Sequence, residues 1–264
     1  MPLSAYKKHR IFKNTTHAVC ILLVFFAVSF IAIRIFCFIE GISQCNVLVI
    51  KAHGDIVVSG EGVSADKILE YIEAADKNER IKAIILDIDS FGGSPVAGKE
   101  IADALRNSPK LTVAVVRGAG DSAAYMVASG AKRIFASAFS EVGNIGITMS
   151  YLDYSFNNES VGIYFQEISS GEFKDIANPD KTLTDKEREL LLSFVYKLND
   201  EFVSLVSKNR NMDRRKVEEL ADGSIMTAGQ ALNKGLIDEI GSIQDAKEWV
   251  REQIKEETEI CVLD

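Results

Sequence analysis

The sequence predicts a layered α/β domain, because short apolar or β-branched runs alternate with amphipathic segments of helical period. The clearest strand is residues 81–88, a nearly continuous apolar run typical of a strand that is covered on both faces. The clearest helix is residues 64–77, in which Ile68, Ile72 and Ala75 share one face. This alternation of strand and helix is the basis of the fold-class prediction.

The N-terminal part of the chain carries the signals of a membrane anchor. Residues 1–17 contain four Lys and Arg side chains and no acidic one, and Arg34 is the only charged residue of the apolar stretch 18–39. As a helix, this stretch rises about 33 Å, enough to cross a hydrocarbon core of about 30 Å. The basic flank places the N terminus in the cytoplasm. We therefore predict a cytoplasmic tail, a transmembrane signal anchor, a linker at 40–46 and an exported domain at 47–264.

Two other interpretations of the apolar stretch are weaker. A cleavable signal peptide would have a shorter apolar region, and the only small-residue pair near its end is Gly41 and Ser43. A buried core helix conflicts with the N-terminal position of the stretch, its basic flank and its length.

Local patterns predict the remaining elements. Further strands are predicted at residues 47–50, 112–116, 134–136 and 163–168. Further helices are predicted at residues 96–105 and 126–131, from Thr184 with its capping-box pattern, from Thr227 to Gly235, and after Gly241.

Composition excludes some classes of partner and site. The formal net charge is −8 although the tail is basic, so the remainder is strongly acidic and unsuited to binding nucleic acid. Cys20 and Cys37 fall in the predicted span, whereas Cys45 and Cys261 would lie on the exported side, where a disulfide can form. No Cys/His spacing indicates a metal site, and we predict no metal or other cofactor.

Two glycine-rich turns between a strand and a helix are candidates for chemistry. In residues 118–125, Ser122 can expose its hydroxyl while its own N–H and the next one point at a reacting carbonyl, aided by the helix that begins there. The alternative is that Ser122 is an N-cap, a position that serine favours for its own sake. In residues 89–95, Gly92 and Gly93 either leave N–H groups bare to a substrate or simply form a tight turn.

A nucleophilic serine needs a base, and the composition offers two kinds. His9 and His17 precede the predicted membrane span, so His53 is the histidine that a Ser/His arrangement would use. The other kind is a lysine that apolar surroundings keep neutral. Spacing alone does not choose one among 30 Lys and Arg side chains.

From about residue 47 to its C terminus, the sequence resembles the signal peptide peptidase A (SppA) family, membrane-anchored serine proteases of peptidase family S49. The matching motifs are Asp-Ser-Phe-Gly-Gly at 89–93, Ser-Ala-Ala-Tyr at 122–125, Gly-Asn-Ile-Gly at 143–146, Gly-Glu-Phe-Lys-Asp at 171–175, Ala-Asp-Gly-Ser-Ile-Met-Thr-Ala-Gly-Gln-Ala-Leu at 221–232 and Gly-Leu-Ile-Asp at 235–238. The resemblance implies a ClpP/crotonase-like fold of ββα units, preceded by one N-terminal transmembrane helix.

The resemblance also implies a role for individual residues. Ser122 would be the nucleophile and Lys174 the general base, and in short single-domain members of the family these two come from neighbouring subunits. The N–H groups of Gly93 and Ala123 would form the oxyanion hole, and Gly92 would leave room for the substrate backbone.

Two positions depart from the pattern of the family. Many relatives have Ser-Gly-Gly-Tyr where this chain has Ser-Ala-Ala-Tyr at 122–125, and alanine is small enough to keep the turn. The family usually has Gly-Ser-Ile-Gly at the position of residues 143–146, and that serine helps to hold the lysine. Here the residue is Asn144, whose amide oxygen can accept a hydrogen bond from Lys174.

The activity that the resemblance implies is that of a serine endopeptidase with a Ser–Lys dyad. It would hydrolyse hydrophobic peptides, such as cleaved signal peptides, through an acyl-enzyme. The implied setting is the bacterial inner membrane, with a single span, an exported catalytic domain and a homo-oligomer that shares its active sites. Three alternatives stay open: a protease for stomatin-like membrane proteins, a crotonase-type acyl-CoA enzyme without a serine nucleophile, and a non-catalytic membrane scaffold.

Overall fold

The computed structural model describes residues 45–263. The predicted tail at 1–17, the predicted anchor at 18–39 and most of the predicted linker at 40–46 lie outside these residues. Among the helices of residues 45–263, none has both the length and the hydropathy needed to cross a membrane. The described part is an α/β domain, as the alternation of strands and helices predicts.

A largely parallel sheet forms the centre of this domain. The strands are β1 (Val47–His53), β2 (Ile56–Val57), β3 (Val63–Ser64), β4 (Ala83–Ser90), β5 (Leu111–Asp121), β6 (Arg133–Ala136), β7 (Glu141–Gly143), β8 (Ile225–Thr227), β9 (Glu239–Ile240) and β10 (Ile260–Leu263). The main sheet runs in the order β10-β1-β4-β5-β6-β9, and all of these pairs are parallel. β7 pairs in parallel with the far end of β5 and antiparallel with β8, while β2 and β3 form a separate small pair.

Helices connect the parallel strands and cover the sheet. They are α1 (Ala65–Lys77), α2 (Pro95–Asn107), α3 (Ala123–Ser129), α4 (Ser155–Ser160), α5 (Asp185–Arg210), α6 (Arg214–Leu220), α7 (Ala228–Lys234) and α8 (Ile243–Ile254). Ser94 caps α2, since it accepts from the N–H of Ala97 and proline follows at the first helical position. The capping box of α5 is also formed, between Thr184 and Glu187.

The central strands alternate their side chains between two apolar cores. Leu48, Ile84 and Ala114 face the larger core, to which α1, α2, α3 and α5 contribute. Val49 and Ile85 face a smaller core that α8 covers. Because both faces are covered, β1, β4 and β5 read as almost continuous apolar runs in the sequence. The two faces also decide which polar side chains can reach the candidate site.

The two ends of the described chain are joined beside β1. Cys45 and Cys261 form a disulfide, and β10 pairs with β1. The Asn46 side chain donates to the carbonyl of Glu257 and accepts from the N–H of Glu259, both at 2.8 Å. Cys45 and Asn46, which the sequence assigns to the linker, are therefore buried parts of the folded domain.

The predicted strand at residues 163–168 is wrong. These residues adopt neither strand nor helix, and Ile168 is 99% exposed. Alternation of apolar side chains stabilises a strand only when a neighbouring strand supplies hydrogen bonds and a surface buries one face. Within residues 45–263, no strand pairs with this segment.

Candidate active site

Ser122 lies between the end of β5 and the start of α3. Its φ of 52° and ψ of −120° form a combination that residues other than glycine rarely adopt. Hydrogen bonds from its N–H to the Gly143 carbonyl and from the Met126 N–H to its own carbonyl, each of 2.9 Å, hold this conformation. The side chain makes no capping hydrogen bond although Ser122 occupies the N-cap position. Capping therefore does not explain this serine.

Gly92 packs directly against the serine. Its φ is 115°, and a Cβ built on it would lie 3.0 Å from Ser122 Cβ and 3.2 Å from the nitrogen of Ala123. Any other residue would be strained here and would press on the serine. The structure therefore brings the two predicted glycine-rich turns into contact.

Gly93 is held by β2 so that its own N–H stays available. Ile56 donates to the Gly92 carbonyl and accepts from the N–H of Ser94, both at 2.8 Å. In this parallel bridge the N–H of Gly93 itself points away from Ile56. Among residues 45–263, neither the N–H of Gly93 nor that of Ala123 has an acceptor. Two bare N–H groups in the loops that meet at a serine can stabilise a developing oxyanion.

A cleft of about 380 Å³ opens beside Ser122. Three parts of the chain line it: the segment after β7, one face of α5, and the loop before β8. Its lining residues are Ser122, Asn144, Gly146, Ile147, Thr148, Val195, Tyr196, Asn199, Ala221, Asp222 and Gly223.

Asn144 lies in this cleft. Its backbone has a φ of 47°, and its N–H donates to the Ser224 carbonyl at 3.0 Å. Its side-chain Nδ2 donates to the Gly223 carbonyl at 2.7 Å. These bonds fix the amide, so its Oδ1 is the acceptor that the side chain can offer to a further group.

Lys174 is the one predicted site residue that the single chain does not bring to Ser122. Its side chain is exposed and does not line the cleft. It lies in the long connection between β7 and α5, in a turn closed by a hydrogen bond from its N–H to the Gly171 carbonyl at 3.0 Å. Nearby Lys181 is different, because hydrogen bonds to Glu167 and then Glu187 raise its pKa and keep it charged.

His53 is not placed to serve as the base. On β1, His53 lies on the same face of the sheet as Val49, because alternate residues of a strand share a face. This face is covered by α8, whereas α3 packs on the opposite face. Its Nε2 lies 3.4 Å from Asp87 Oδ1, and Arg117 lies 3.3 Å from the other oxygen of the same carboxylate. His53 therefore belongs to a separate polar cluster.

Two further polar residues of this region went unnoticed in the sequence. Asp121, directly before the serine, is 3% exposed and its Oδ1 has no hydrogen-bond partner among residues 45–263. Burial, and then the charge of Glu141, raises the pKa of Asp121 to about 6. Asn199 on α5 also has a buried Oδ1 without a partner there. Asp121 interrupts the apolar pattern at the end of β5, and Asn199 interrupts the apolar face of α5. These interruptions were the signal in the sequence that could have identified both residues.

No group of three or more His, Cys, Asp or Glu in the described part of the chain is arranged to hold a metal ion. Of the six predicted site residues, the structure thus gathers Gly92, Gly93, Ser122 and Ala123 at one point, with Asn144 in the adjoining cleft.

Comparisons with known proteins agree with this fold. The sequence profile of peptidase family S49 matches residues 104–257, and that of Clp protease matches residues 49–142. A ClpP1 mutant from Listeria monocytogenes superposes with a TM-score of 0.52 at 13% identity, covering 80% of this chain and 98% of that one. At this identity the likeness concerns the fold alone. It confirms the predicted ClpP-like α/β fold.

Two curated relatives point to the same family. An Enterococcus faecium protein provisionally named signal peptide peptidase SppA is 30% identical over 226 residues, or 82% of this chain and 66% of that protein. Protease 4 of Haemophilus influenzae is 27% identical over 231 residues, or 83% of this chain and 36% of that protein. This chain therefore spans only part of the length of these relatives. Since the family profile alone matches more than half of it, the chain belongs to peptidase family S49.

Proposed function

We propose that this chain is a membrane-anchored serine endopeptidase that cleaves extended hydrophobic peptides, such as cleaved signal peptides. The main support is the geometry at Ser122, which is strained and makes no capping hydrogen bond. The loops with the bare N–H groups of Gly93 and Ala123 meet beside it. Membership of a peptidase family supports it and disfavours the acyl-CoA alternative.

The proposed reaction is an acyl transfer to Ser122. Its Oγ attacks the carbonyl carbon of the scissile peptide bond, while its proton passes to the neutral Nζ of Lys174. The N–H groups of Gly93 and Ala123 donate to the substrate oxygen as it becomes negative. Lys174 then donates the proton to the leaving amine, and the C–N bond breaks. Finally a water molecule, deprotonated by Lys174, hydrolyses the ester and restores Ser122.

We further propose that Lys174 reaches the serine of a neighbouring copy. The support is that Lys174 is exposed in the single chain, in a region with many exposed apolar side chains. These are Met149, Leu152, Tyr154, Phe156, Val161, Ile163, Tyr164, Ile168, Phe173, Leu190, Leu192, Phe194 and Tyr196. A region with this many exposed apolar side chains is unusual on a soluble monomer and indicates an interface. A homo-oligomer would bury it and complete each active site.

The proposed substrates follow from the cleft and the predicted anchor. Ile147 and Val195 line the cleft beside the serine and suit apolar side chains of a peptide. An anchor at 18–39 would keep the exported domain close to the bilayer surface, where remnant signal peptides are released. The proposed setting is accordingly the outer surface of a bacterial inner membrane.

The proposal is tested by complementation between two inactive variants. Full-length Ser122→Ala and Lys174→Ala chains are co-expressed with different affinity tags, and mixed oligomers are purified through both tags. We expect each variant alone to be inactive in cleaving an apolar peptide. The mixed oligomers should regain part of the activity, because a subunit with Ser122 then receives Lys174 from its neighbour.

A covalent probe provides the control. An activated phosphonate should label the wild-type chain at Ser122, which an acyl-CoA enzyme without a serine nucleophile would not allow. Inactive mixed oligomers would contradict the shared dyad. Full turnover in Lys174→Ala, together with its loss in His53→Ala, would reassign the base to His53.

A further inference from the structure

The side chain of Asn199 is an unexplained polar group in the cleft beside Ser122. It lies on α5 one turn after Val195 and three residues before Phe202, in the middle of a face that is otherwise apolar. Its Oδ1 is buried, and no donor among residues 45–263 reaches it. Leaving a buried carbonyl without a hydrogen bond is unfavourable, so a small turn of this amide that brings its oxygen to a donor in the cleft would be favoured.

A second free acceptor lies in the same cleft. The Nδ2 of Asn144 is used by the Gly223 carbonyl at 2.7 Å, and its Oδ1 accepts no hydrogen bond from residues 45–263. Two amide side chains, Asn144 and Asn199, therefore line the cleft beside Ser122, and the oxygen of each lacks a donor among residues 45–263. Both are uncharged at every pH, unlike a carboxylate.

We propose that Asn199 and Asn144 together position the amine of Lys174 from a neighbouring copy, so that its lone pair faces Ser122. This inference rests on the shared dyad proposed above. A neutral lysine amine has two N–H groups and one lone pair. If the two amide oxygens accept the two N–H groups, the lone pair is left to take the proton of the serine hydroxyl. Asn199 is thus a positioning residue, which acts on the serine through the lysine.

The choice of amides is consistent with a lysine that must stay neutral. A carboxylate in contact with the amine would favour its charged form and raise its pKa. The ionisable side chains that line the cleft are Tyr196 and Asp222, and Asp121, whose pKa Glu141 helps to raise, directly precedes the serine. Asp222 is already engaged, since it accepts from the N–H of Ser224 at 2.9 Å. Uncharged acceptors such as Asn144 and Asn199 add no negative charge to the surroundings of the lysine amine.

The test places an Asn199→Leu change on one or the other subunit of the complementing pair. In the first arm it is carried by the Lys174→Ala chain, which supplies the working serine. In the second arm it is carried by the Ser122→Ala chain, which supplies the working lysine. Kinetic constants are then measured for mixed oligomers of each arm, with a peptide ester or amide substrate.

We expect the first arm to lose about 10²-fold in kcat with little change in KM, since a misplaced reacting group costs about that much. The second arm should keep the recovered activity, because its change lies in sites that have no serine. Equal loss in both arms would mean a general effect on folding or assembly and would overturn the proposal. A loss in the first arm that appears in KM alone would assign Asn199 to substrate binding instead.

A matched control and a pH profile complete the test. Lys197 lies on the same helix, is exposed and does not line the cleft, so Lys197→Leu in either arm should leave kinetics unchanged. In the otherwise wild-type chain, Asn199→Asp places a carboxylate beside the lysine and so favours its charged form. The rise of kcat/KM with pH should therefore move about one pH unit higher. An unmoved profile would contradict the proposed contact. If the mixed oligomers are inactive even without a change at Asn199, the shared dyad itself fails.

Discussion

At the scale of single residues, the backbone of Ser122 has a strained conformation that contacts with neighbouring residues maintain. A non-glycine residue in such a conformation costs of the order of 1–3 kcal/mol and persists only when its surroundings determine it. Here the determinants are the bond to the Gly143 carbonyl and the close approach of Gly92. The serine hydroxyl is therefore presented by the backbone, without any hydrogen bond that caps α3.

Asp121 is a second residue of this region in an unfavourable environment, because burial and Glu141 both disfavour its ionised carboxylate. Its folded pKa is raised to about 6 from 3.8, first by burial and then by Glu141. Since the folded state binds the proton more tightly than the unfolded state, Asp121 stabilises the fold at low pH, and this stabilisation is lost as pH rises to about 6. A tenfold difference in proton affinity between the two states corresponds to about 1.4 kcal/mol of stability.

We therefore expect Asp121→Asn to change how stability depends on pH. The free energy of unfolding of the variant, relative to wild type, should rise between about pH 4 and pH 6 and then level off, by about 2–3 kcal/mol in total. Urea unfolding at a series of pH values measures this. Glu141→Gln removes only the smaller cause, so it should reproduce only a small part of the change. A constant difference between Asp121→Asn and wild type across this range would show that the carboxyl titrates normally.

At the scale of elements, the Gly92–Gly93 loop is held in place by β2. A Cβ built on Gly93 would lie 2.2 Å from the Ile56 carbonyl oxygen, and its φ is 144°. We expect Gly93→Ala to push this loop away from β2 and so misplace the N–H that faces the substrate oxygen. Loss of one such donor costs about 10²–10³-fold in kcat. Peptide turnover and labelling of Ser122 by the phosphonate measure the effect.

Gly60 provides the matched control for this change. Its φ of 99° makes alanine similarly strained, but a Cβ built there meets nothing within 4 Å. Gly60→Ala should therefore lower stability by about 1 kcal/mol and leave turnover unchanged. If the two variants behave alike, the loop does not depend on its packing against Ile56.

The sequence predicted the elements whose pattern is decided locally or by burial on both faces. The central strands β1, β4 and β5 are apolar runs, α1 has clear periodicity, and α5 begins with a capping box. β7, with its three residues Glu141–Gly143, was missed because it is too short for a pattern and exists only through its pairing with β5 and β8. The same dependence on a partner explains the opposite error at 163–168, where apolar alternation finds no strand to pair with.

The sequence could predict those residues of the candidate site that lie in turns between a strand and a helix. Gly92, Gly93, Ser122 and Ala123 follow neighbouring parallel strands, whose carboxyl ends meet at one edge of the sheet. Lys174 could not be placed in this way, because it lies in a long exposed connection rather than at the end of a strand. Its role as the base stays a prediction, for which the complementation experiment is the test.

At the scale of the whole molecule, the disulfide joins the first described residue to the last strand. Cys45 and Cys261 are 216 positions apart, so the bond closes a loop that contains nearly the entire domain. Such a bond restricts the unfolded chain, and removing one typically costs about 2–4 kcal/mol. It also lies where the chain enters the domain from the predicted anchor, and disulfides persist mainly in exported proteins. Its redox state in cells therefore reports on the predicted side of the membrane.

We expect this bond to be oxidised when the full chain is expressed in its predicted membrane. After acid trapping and denaturation, a thiol reagent of high mass should add to Cys20 and Cys37 only, and to all four cysteines after reduction. The Cys45→Ser and Cys261→Ser double variant should add two reagent molecules under both conditions and should unfold at lower denaturant, by about 2–4 kcal/mol. Four reactive thiols in the unreduced wild-type chain would place the domain in a reducing compartment. The exported location would then be wrong, and with it the access of this peptidase to peptides on the outer surface of the membrane.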